Sequence, residues 1–199
     1  MDQVVDITMM RHCIHLSTTA PRGDLPIACV ICDSDGVIAE ATNQVRQNGD
    51  VTRHAEIVAI RQAQKSLKRK SLSRCTLYTT VEPCAMCSFM IRETQISRVV
   101  YSISSPMMGG ISKWNILRDT EISNMIPEVF GSVPEVIANL LWREATQVWW
   151  KWNPIAWQII KYRKCFGPEP ATEVGDHLPA IISSIGWLRR LLRTLNRDI

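Results

Sequence analysis

Two short segments of the sequence contain residue types that could hold a metal ion and move a proton. The first contains His54 and Glu56, and the second contains Cys84 and Cys87 directly after Pro83. A structural zinc site has four protein ligands, whereas a catalytic site has three and leaves the fourth position to water. The imidazole and the two thiols supply three ligands and leave the carboxylate free. This set predicts a catalytic zinc ion, with Glu56 as the proton carrier of a hydrolytic reaction.

Both segments are predicted to begin a helix, which explains how residues far apart in sequence could meet. Pro83 suits the first turn of a helix, and Cys84 and Cys87, which are three residues apart, share one helix face. The positive end of the helix dipole also favours thiolates. Because Cα–Cβ bonds tilt toward the helix N-terminus, His54 and Glu56 can both point past the start of a second helix. The sequence therefore predicts two helix starts that meet at one zinc ion.

A zinc ion beside a free carboxylate indicates hydrolytic removal of an amino group from a heterocycle. Zinc lowers the pKa of a water molecule bound to it to about 7. Glu56 would accept the water proton, pass it to a ring nitrogen and later protonate the departing amine, so that ammonia is the product. A carboxylate that both accepts and donates a proton needs a pKa near the working pH. We therefore expect burial to raise the pKa of Glu56.

A second pair of cysteines has the same spacing but is expected to have a different role. Cys29 and Cys32 lie in a predicted strand, where residues three apart point to opposite faces of the sheet. Their thiols therefore cannot readily bind one ion. Unpaired cysteines are often buried, and we predict that both of these belong to the core.

Apolar periodicity and turn residues predict an alternation of helices and strands. Helices are expected over residues 2–18, 53–67, 84–92 and 134–162, the last interrupted at Pro154, and strands over residues 27–32, 37–42, 77–81 and 98–102. The first two strands form a hairpin, and Thr52 is the expected N-cap of the second helix. Strands that alternate with helices predict an α/β fold with helices on both faces of the sheet.

Length and composition indicate one domain with an appendage. The chain has 199 residues, 46% of them hydrophobic and 21% charged, and its net charge of +4 permits an anionic partner without requiring one. We predict a catalytic domain over residues 1–166, a linker rich in proline and glycine over residues 167–178, and a final amphipathic basic helix over residues 179–199.

Cysteine usage and the lack of long apolar segments predict a cytoplasmic protein. Charged residues and histidines interrupt the beginning of the chain, so a secretory signal is not expected. No uncharged stretch reaches the roughly 18 residues that a membrane span needs. In a reducing compartment, the seven cysteines indicate metal binding or catalysis before disulfides.

Two further segments each allow two interpretations. Five of the seven tryptophans fall between Trp142 and Trp157. They could form a lid that stacks on a purine or on nucleotides, but an interface between helices or subunits is favoured. The final helix carries arginines beside an apolar stripe and could bind RNA, a membrane surface or a partner. Docking of that stripe on the domain or on a second subunit is favoured.

The region from about Leu25 to Leu117 resembles the cytidine and deoxycytidylate deaminase superfamily, in particular the branch of tRNA adenosine deaminases and guanine deaminases. The matching residues are Ala28-Cys29-Val30-Ile31, Asn43, Asp50, Thr52, His54-Ala55-Glu56, Thr76-Leu77-Tyr78-Thr79-Thr80, Glu82-Pro83-Cys84-Ala85-Met86-Cys87 and Arg98-Val99-Val100-Tyr101. The resemblance implies a three-layer α/β/α sandwich with a central five-stranded mixed sheet, here followed by extra C-terminal helices. It also implies a dimer or tetramer, of which we expect a homodimer.

The resemblance also assigns roles to individual residues. The imidazole and the two thiols described above match the family's zinc ligands, and Glu56 matches its proton carrier. Asn43 matches an asparagine that hydrogen-bonds the purine, and the backbone N–H of Ala55 is expected to face the bound base.

Departures from the tRNA branch favour a small substrate. The loop after the strand at residues 98–102 lacks the usual acidic residue, Pro154 stops the tryptophan-rich helix, and Arg53 stands where a small residue is usual. We therefore predict a zinc-dependent hydrolytic deaminase that releases ammonia from an amino-purine base or nucleoside, with guanine favoured.

Two alternatives stay open. One is adenosine-to-inosine deamination in tRNA, and the other is a catalytically inactive zinc-containing module that binds RNA. A free base is best served by a closed pocket, whereas an anticodon loop needs an open basic trough. Whether the tryptophan-rich segment covers the zinc cleft should separate a small substrate from tRNA. The unliganded Glu56 argues against the inactive module.

Overall fold

The computed structural model describes residues 3–124 and 130–170. The helices are α1 (Gln3–Ser17), α2 (Val45–Asn48), α3 (Ala55–Leu67), α4 (Ala85–Glu93), α5 (Trp142–Trp152) and α6 (Pro154–Tyr162), and a 3-10 turn covers Ile122–Asn124. The strands are β1 (Ala28–Asp33), β2 (Gly36–Thr42), β3 (Thr76–Val81), β4 (Arg98–Ile103) and β5 (Glu135–Ile137). None of the described helices is long and apolar enough to cross a membrane. The predicted final helix and most of the predicted linker lie outside the described residues.

The five strands form one mixed sheet in the order β2-β1-β3-β4-β5. β1 is antiparallel to both β2 and β3, whereas β4 is parallel to β3 and β5 is parallel to β4. Parallel neighbours need a crossover connection, and α4 provides it between β3 and β4. All residues of β3 and β4 are buried, as expected for central strands that are covered on both faces.

Two apolar clusters cover the two faces of the sheet. On one face, α3 and α4 pack against the strands through residues that include Ile60 and Ile91. On the other face, α1, α5 and α6 contribute Met10, Trp149 and Trp157. The predicted three-layer α/β/α sandwich with a five-stranded mixed sheet is therefore confirmed.

The two faces of β1 explain the role of its cysteine pair. Cys29 belongs to the cluster beneath α3, whereas Cys32 belongs to the cluster on the opposite face. Both residues are buried, with 0% and 3% of their surface exposed. The prediction that they are core cysteines rather than ligands of one ion is confirmed.

The sequence prediction is wrong for the segment that follows Pro134. This segment is expected to be helical, but Glu135–Ile137 forms β5, and α5 begins only at Trp142. The short strand pairs with the edge of β4, and Glu135 makes a 3.0 Å ion pair with Arg98 at that edge. Because β4 is distant in sequence from this segment, the periodicity of the segment alone cannot predict that it becomes a strand.

The start of α3 also differs from the prediction. Its N-cap is His54 rather than Thr52, and the hydroxyl of Thr52 instead donates to Asp50 at 2.7 Å. The helix therefore begins at Ala55, and His54 stands in extended backbone directly before the first turn.

Most of the tryptophan-rich segment packs inside the protein. Trp149 and Trp157 are only 1% and 5% exposed. The ring of Phe166 packs against both, with centroid distances of 4.9 Å and 6.0 Å. The favoured interpretation, an interface between helices, is confirmed for these two residues, whereas Trp150 is 46% exposed.

A buried ion pair joins α1 to the sheet. Asp6 accepts hydrogen bonds from Nη1 and Nη2 of Arg98 at 2.6 Å and 2.7 Å, and from the hydroxyl of Tyr78 at 2.7 Å. Burial by itself would raise the pKa of Asp6, but the hydrogen bonds from Arg98 and Tyr78 outweigh burial and hold that pKa below its usual value. The side chains of Asp6 and Arg98 are 5% and 8% exposed, and the guanidinium of Arg98 also pairs with the more exposed Glu135.

We expect Asp6→Asn to lower the free energy of unfolding by about 3 kcal/mol, because the change removes the buried one of the two carboxylates that pair with the guanidinium of Arg98. Chemical denaturation followed by circular dichroism measures the loss. The matched control is Glu144→Gln, which removes the partner of Arg11 in an exposed ion pair of α1 and should cost less than about 1 kcal/mol. Equal losses in the two variants would contradict the role given to Asp6.

Candidate active site

The three predicted metal-binding side chains lie together at two helix starts. His54 is the N-cap of α3, and Cys84 is the N-cap of α4, which contains Cys87 in its first turn. Nδ1 of His54 is 3.6 Å from each of the two Sγ atoms, which are 3.7 Å apart. We call these three residues the His-Cys-Cys group. Within the described ranges, no other set of His, Cys, Asp and Glu residues could hold a metal ion.

The separations within the His-Cys-Cys group fit a zinc ion. Tetrahedral bonds of about 2.3 Å to sulfur and about 2.05 Å to nitrogen require about 3.8 Å between the sulfurs and about 3.6 Å between nitrogen and sulfur. The observed distances agree with both values. Mixed thiolate and imidazole ligation also favours zinc over harder cations. The group has three members in the described part of the chain, which is the number typical of a catalytic site.

The hydrogen bonds within the His-Cys-Cys group shift the pKa values of its members in different directions. A hydrogen bond from the thiol of Cys87 lowers the pKa of Cys84 to about 4, and the same bond raises the pKa of Cys87. The hydrogen bond to Cys84 raises the pKa of His54. Zinc takes thiolates and a neutral imidazole, so binding must release protons from Cys87 and His54. Metal affinity at this site should therefore fall as the pH is lowered.

Glu56 lies next to the His-Cys-Cys group in a buried position. The residue is 4% exposed, and the hydroxyl of Thr79 donates to its Oε1 at 3.5 Å. Burial raises the pKa of Glu56 to about 7, in the direction expected from the sequence. A carboxyl group with this pKa can accept and donate protons near neutral pH.

A cavity of about 340 Å³ opens beside these residues. Glu56, His54 and Cys84 line it together with Asn43, the predicted base-binding residue. Much of the remaining wall is apolar and consists of Leu25, Ile27, Val45, Val81, Met108 and Phe166. A cavity of this size and apolar character is typical of small-molecule sites.

Two of the sequence-predicted site residues, Cys87 and Ala55, do not line the cavity. Ala55 is the one predicted to contact the base. It is fully buried and is the first residue of α3, between two residues that do line the cavity. Helices leave the N–H groups of their first turn without intrahelical partners. The backbone N–H of Ala55, and not its side chain, therefore remains the candidate contact for a base.

Asp24 organises part of the cavity wall, a role that no pattern in the sequence predicts. Its Oδ1 accepts from Nδ2 of Asn43 at 3.0 Å and from the backbone N–H of Arg46 at 2.8 Å, and its Oδ2 accepts from the backbone N–H of Gln47 at 3.0 Å. The residue is 1% exposed. In the sequence, an aspartate after Gly23 reads as an ordinary turn residue, and its partners are too distant to be recognised.

Glu82 holds the loop that forms another part of the wall. Oε1 accepts from the backbone N–H groups of Ile111 and Ser112 at 2.9 Å and 2.7 Å. Oε2 accepts from the N–H of Ser105 at 2.7 Å and from the hydroxyl of Ser112 at 2.5 Å. A Cβ atom on Gly109 would overlap this carboxylate, so the loop requires glycine there. The sequence resemblance includes Glu82, but no local pattern connects it to the loop.

Phe166 lines the cavity from the end of the described chain. The backbone N–H of Gly167 donates to the carbonyl of Ser104 at 2.8 Å, and the hydroxyl of Ser105 donates to the carbonyl of Cys165 at 3.2 Å. These bonds hold Phe166 beside the loop that Glu82 organises. The tryptophans of α5 and α6 therefore support this wall from behind, and a phenylalanine with no sequence signal contacts the cavity.

Residues 4–103 match the zinc-binding region of cytidine and deoxycytidylate deaminases, a stretch that covers half of the chain and includes the His-Cys-Cys group and Glu56. The chain belongs to this family. It is a family of deaminases, which are hydrolases that act on carbon–nitrogen bonds, and the matched region is the one that binds its zinc cofactor. The His-Cys-Cys group is the set of side chains that fits this cofactor among the described residues.

Three similar proteins show the range of substrates within the family. The tRNA-specific adenosine deaminase of Aquifex aeolicus is 35% identical over 106 residues, which cover 53% of this chain and 70% of that protein. The probable cytosine deaminase of Schizosaccharomyces pombe is 38% identical over 134 residues, or 66% of this chain and 76% of that protein. A structure from a study of A-to-I editing by tRNA:A34 deaminases has a TM-score of 0.63 and 29% identity, and the match covers 71% of this chain and 99% of that one.

We expect Glu82→Gln to lower the free energy of unfolding by about 2 kcal/mol, because an amide nitrogen in place of either oxygen would face a backbone N–H group. Denaturant titration and the melting temperature measure the effect. The matched control is Glu93→Gln at the exposed end of α4, which should change stability by no more than about 0.5 kcal/mol. A Glu82→Gln variant as stable as the control would show that the carboxylate does not hold the loop.

Proposed function

We propose that this protein hydrolytically removes an amino group from a purine base or nucleoside, with guanine as the first substrate to test. The observation that carries the proposal is that Glu56 lines a cavity of about 340 Å³ together with His54 and Cys84 of the His-Cys-Cys group. In this proposal the His-Cys-Cys group holds zinc, Glu56 carries protons, and Asn43 and the backbone N–H of Ala55 bind the base.

Glu56 performs the proton transfers of the proposed reaction. Zinc held by the His-Cys-Cys group supplies Lewis acidity, which activates water for hydrolysis at neutral pH. Glu56 accepts a proton from the attacking water and delivers it to a ring nitrogen beside the reacting carbon. It then transfers the second water proton to the leaving amine, so that one water is consumed and one ammonia and one oxo-heterocycle are formed. A pKa of about 7 for Glu56 permits both directions of transfer.

The composition of the cavity wall supports a small heterocycle as the substrate. Apolar side chains such as Ile27, Met108 and Phe166 surround a few polar groups, an arrangement typical of small-molecule sites. Asn43 is an amide within this wall and can hydrogen-bond a ring edge. Phe166 is supported from behind by buried tryptophans, so this wall is rigid.

A specific observation also supports adenosine deamination in tRNA as the second candidate. A groove of about 490 Å³ shares Phe166 with the cavity and contains Lys161 and Lys164 beside Trp142 and Trp157. Basic and aromatic side chains together are typical of sites for single-stranded nucleic acid. Two of the three similar proteins described above are also named for their action on tRNA.

Ammonia release from guanine, adenosine, cytosine and tRNA tests the proposed function. The proposal expects a free purine base or nucleoside to give the highest kcat/KM. Activity on tRNA alone would replace it with the second candidate. If protein that contains zinc releases no ammonia from any of the four substrates, both candidate activities are overturned and a non-catalytic RNA-binding module is favoured.

We expect Glu56→Ala to keep its zinc but to lose turnover by at least about 10²-fold, because general acid–base catalysis contributes about 10² to 10⁴ in rate. Elemental analysis measures zinc, and an ammonia assay measures turnover. The control is Glu121→Ala in an exposed loop, which should retain both. Retained turnover in Glu56→Ala would exclude the proton-carrier role, and lost zinc would make Glu56 a ligand instead.

We also infer that the protein forms a homodimer through an apolar face beside the cavity. Met86 and Phe89 of α4 are 37% and 45% exposed, and Met108 in the following loop is 52% exposed. The bridge between Cys84 and Gly109 brings these two segments together. Neighbouring exposed apolar side chains are typical of protein interfaces, and a second copy of this chain is the partner that the family resemblance implies.

Light scattering should give twice the mass of the chain for the wild type and the monomer mass for Phe89→Glu, because a buried charge in the interface has no partner. The matched control is Val51→Glu, since Val51 is 73% exposed and lies outside this face. A monomeric wild type, or a dimer that survives Phe89→Glu, would contradict the assigned interface.

A further inference from the structure

The orientation of the Asn43 amide is set by a neighbouring carboxylate. Asn43 lines the cavity and is 5% exposed, and its Nδ2 donates to Oδ1 of Asp24 at 3.0 Å. A carboxylate accepts hydrogen bonds but does not donate them, so the nitrogen of the amide, and not its oxygen, must face Asp24. Among the described residues, Oδ1 of Asn43 has no hydrogen-bond partner.

Asp24 is itself held in one position. Its three hydrogen-bond partners are all N–H groups, and two of them are backbone groups of Arg46 and Gln47 at the start of α2. With donors on both oxygens, the carboxylate cannot rotate without losing a bond. The residue is 1% exposed, so water cannot replace these partners. The orientation of Asn43 is therefore fixed before a substrate arrives.

We propose that Asp24 is a positioning residue that fixes the amide of Asn43, so that its carbonyl oxygen is the group that the cavity offers to a substrate. The proposal rests on the proposed function, in which Asn43 binds the base. An amide oxygen accepts from a ring N–H. Guanine carries such a donor at N1, directly beside its amino-bearing carbon, whereas the ring nitrogens of adenosine carry no hydrogen. The fixed orientation therefore favours guanine-type heterocycles.

A double-mutant cycle tests whether Asp24 acts through Asn43. The variants are Asp24→Ala, Asn43→Ala and the double variant, each assayed for kcat/KM on the purine that the wild type deaminates fastest. We expect each single change to lower kcat/KM by about tenfold. The double variant should equal Asn43→Ala within about twofold, because Asp24 has nothing left to orient.

The cycle separates positioning from a structural role of Asp24 at α2. If Asp24 only supports α2, its loss lowers activity by the same factor whether or not Asn43 is present, and the two effects multiply. Multiplying effects would therefore overturn the proposal. The melting temperature and the zinc content of each variant are measured as well. If Asp24 acts by positioning Asn43, neither quantity should follow the loss of kcat/KM.

Two further variants sharpen the test. Asp24→Asn keeps an oxygen that can accept from Asn43 and Arg46, so it should recover most of the activity that Asp24→Ala loses. The matched control is Asp33→Ala, which removes a carboxylate that accepts from the backbone N–H of Asp35 in the hairpin turn. This control should change kcat/KM by less than about twofold in either background.

Failure of the proposal is distinguishable from failure of the proposed function. If the wild type deaminates no purine, the proposed function fails before any variant is compared, and the positioning role fails with it. If the wild type deaminates guanine and the effects multiply, only the positioning role fails. If Asn43→Ala has no measurable turnover, calorimetric dissociation constants for xanthine, the product of guanine deamination, give the same cycle, and non-additive losses are again required.

Discussion

The geometry of the candidate metal site depends on the separation between the starts of α3 and α4. One imidazole and two sulfurs can share an ion only if their atoms stand about 3.6 to 3.8 Å apart, and the observed distances are 3.6 Å and 3.7 Å. Both helices pack on the same face of the sheet, and α4 follows directly from the buried strand β3. The rigidity of the central sheet therefore sets the geometry of the metal site.

Four buried carboxyl groups differ in their hydrogen-bond donors, and this difference separates their roles. Asp6 faces a guanidinium, Glu82 accepts four hydrogen bonds and Asp24 accepts three. These three serve as hydrogen-bond acceptors that organise helices and loops. Glu56 accepts a long hydrogen bond of 3.5 Å from Thr79, and burial outweighs its hydrogen bonds and raises its pKa to about 7.

The elements that could be predicted from sequence are those with a strong local pattern. The strands at the centre of the sheet, the helices beside it and the opposite faces of Cys29 and Cys32 all follow from periodicities of two and 3.6 residues. The strand β5 could not be predicted, since Glu135–Ile137 is extended only because the edge of β4 lies beside it. The N-cap of α3 was misplaced for a related reason: Asp50 binds Thr52 and moves the helix start to Ala55.

The order of residues along the chain was sufficient to predict that His54, Cys84 and Cys87 lie together beside Glu56, because helix geometry converts their short spacings into shared faces and directions. Tertiary structure alone decided what surrounds them. Asp24 accepts a hydrogen bond from Asn43, Glu82 accepts one from the loop at Ser105, and Phe166 lines the cavity. Each contact joins segments too far apart in sequence for a local pattern to predict it. Such contacts form when distant segments pack on a common sheet, so their partners are fixed by the fold and not by neighbouring residues.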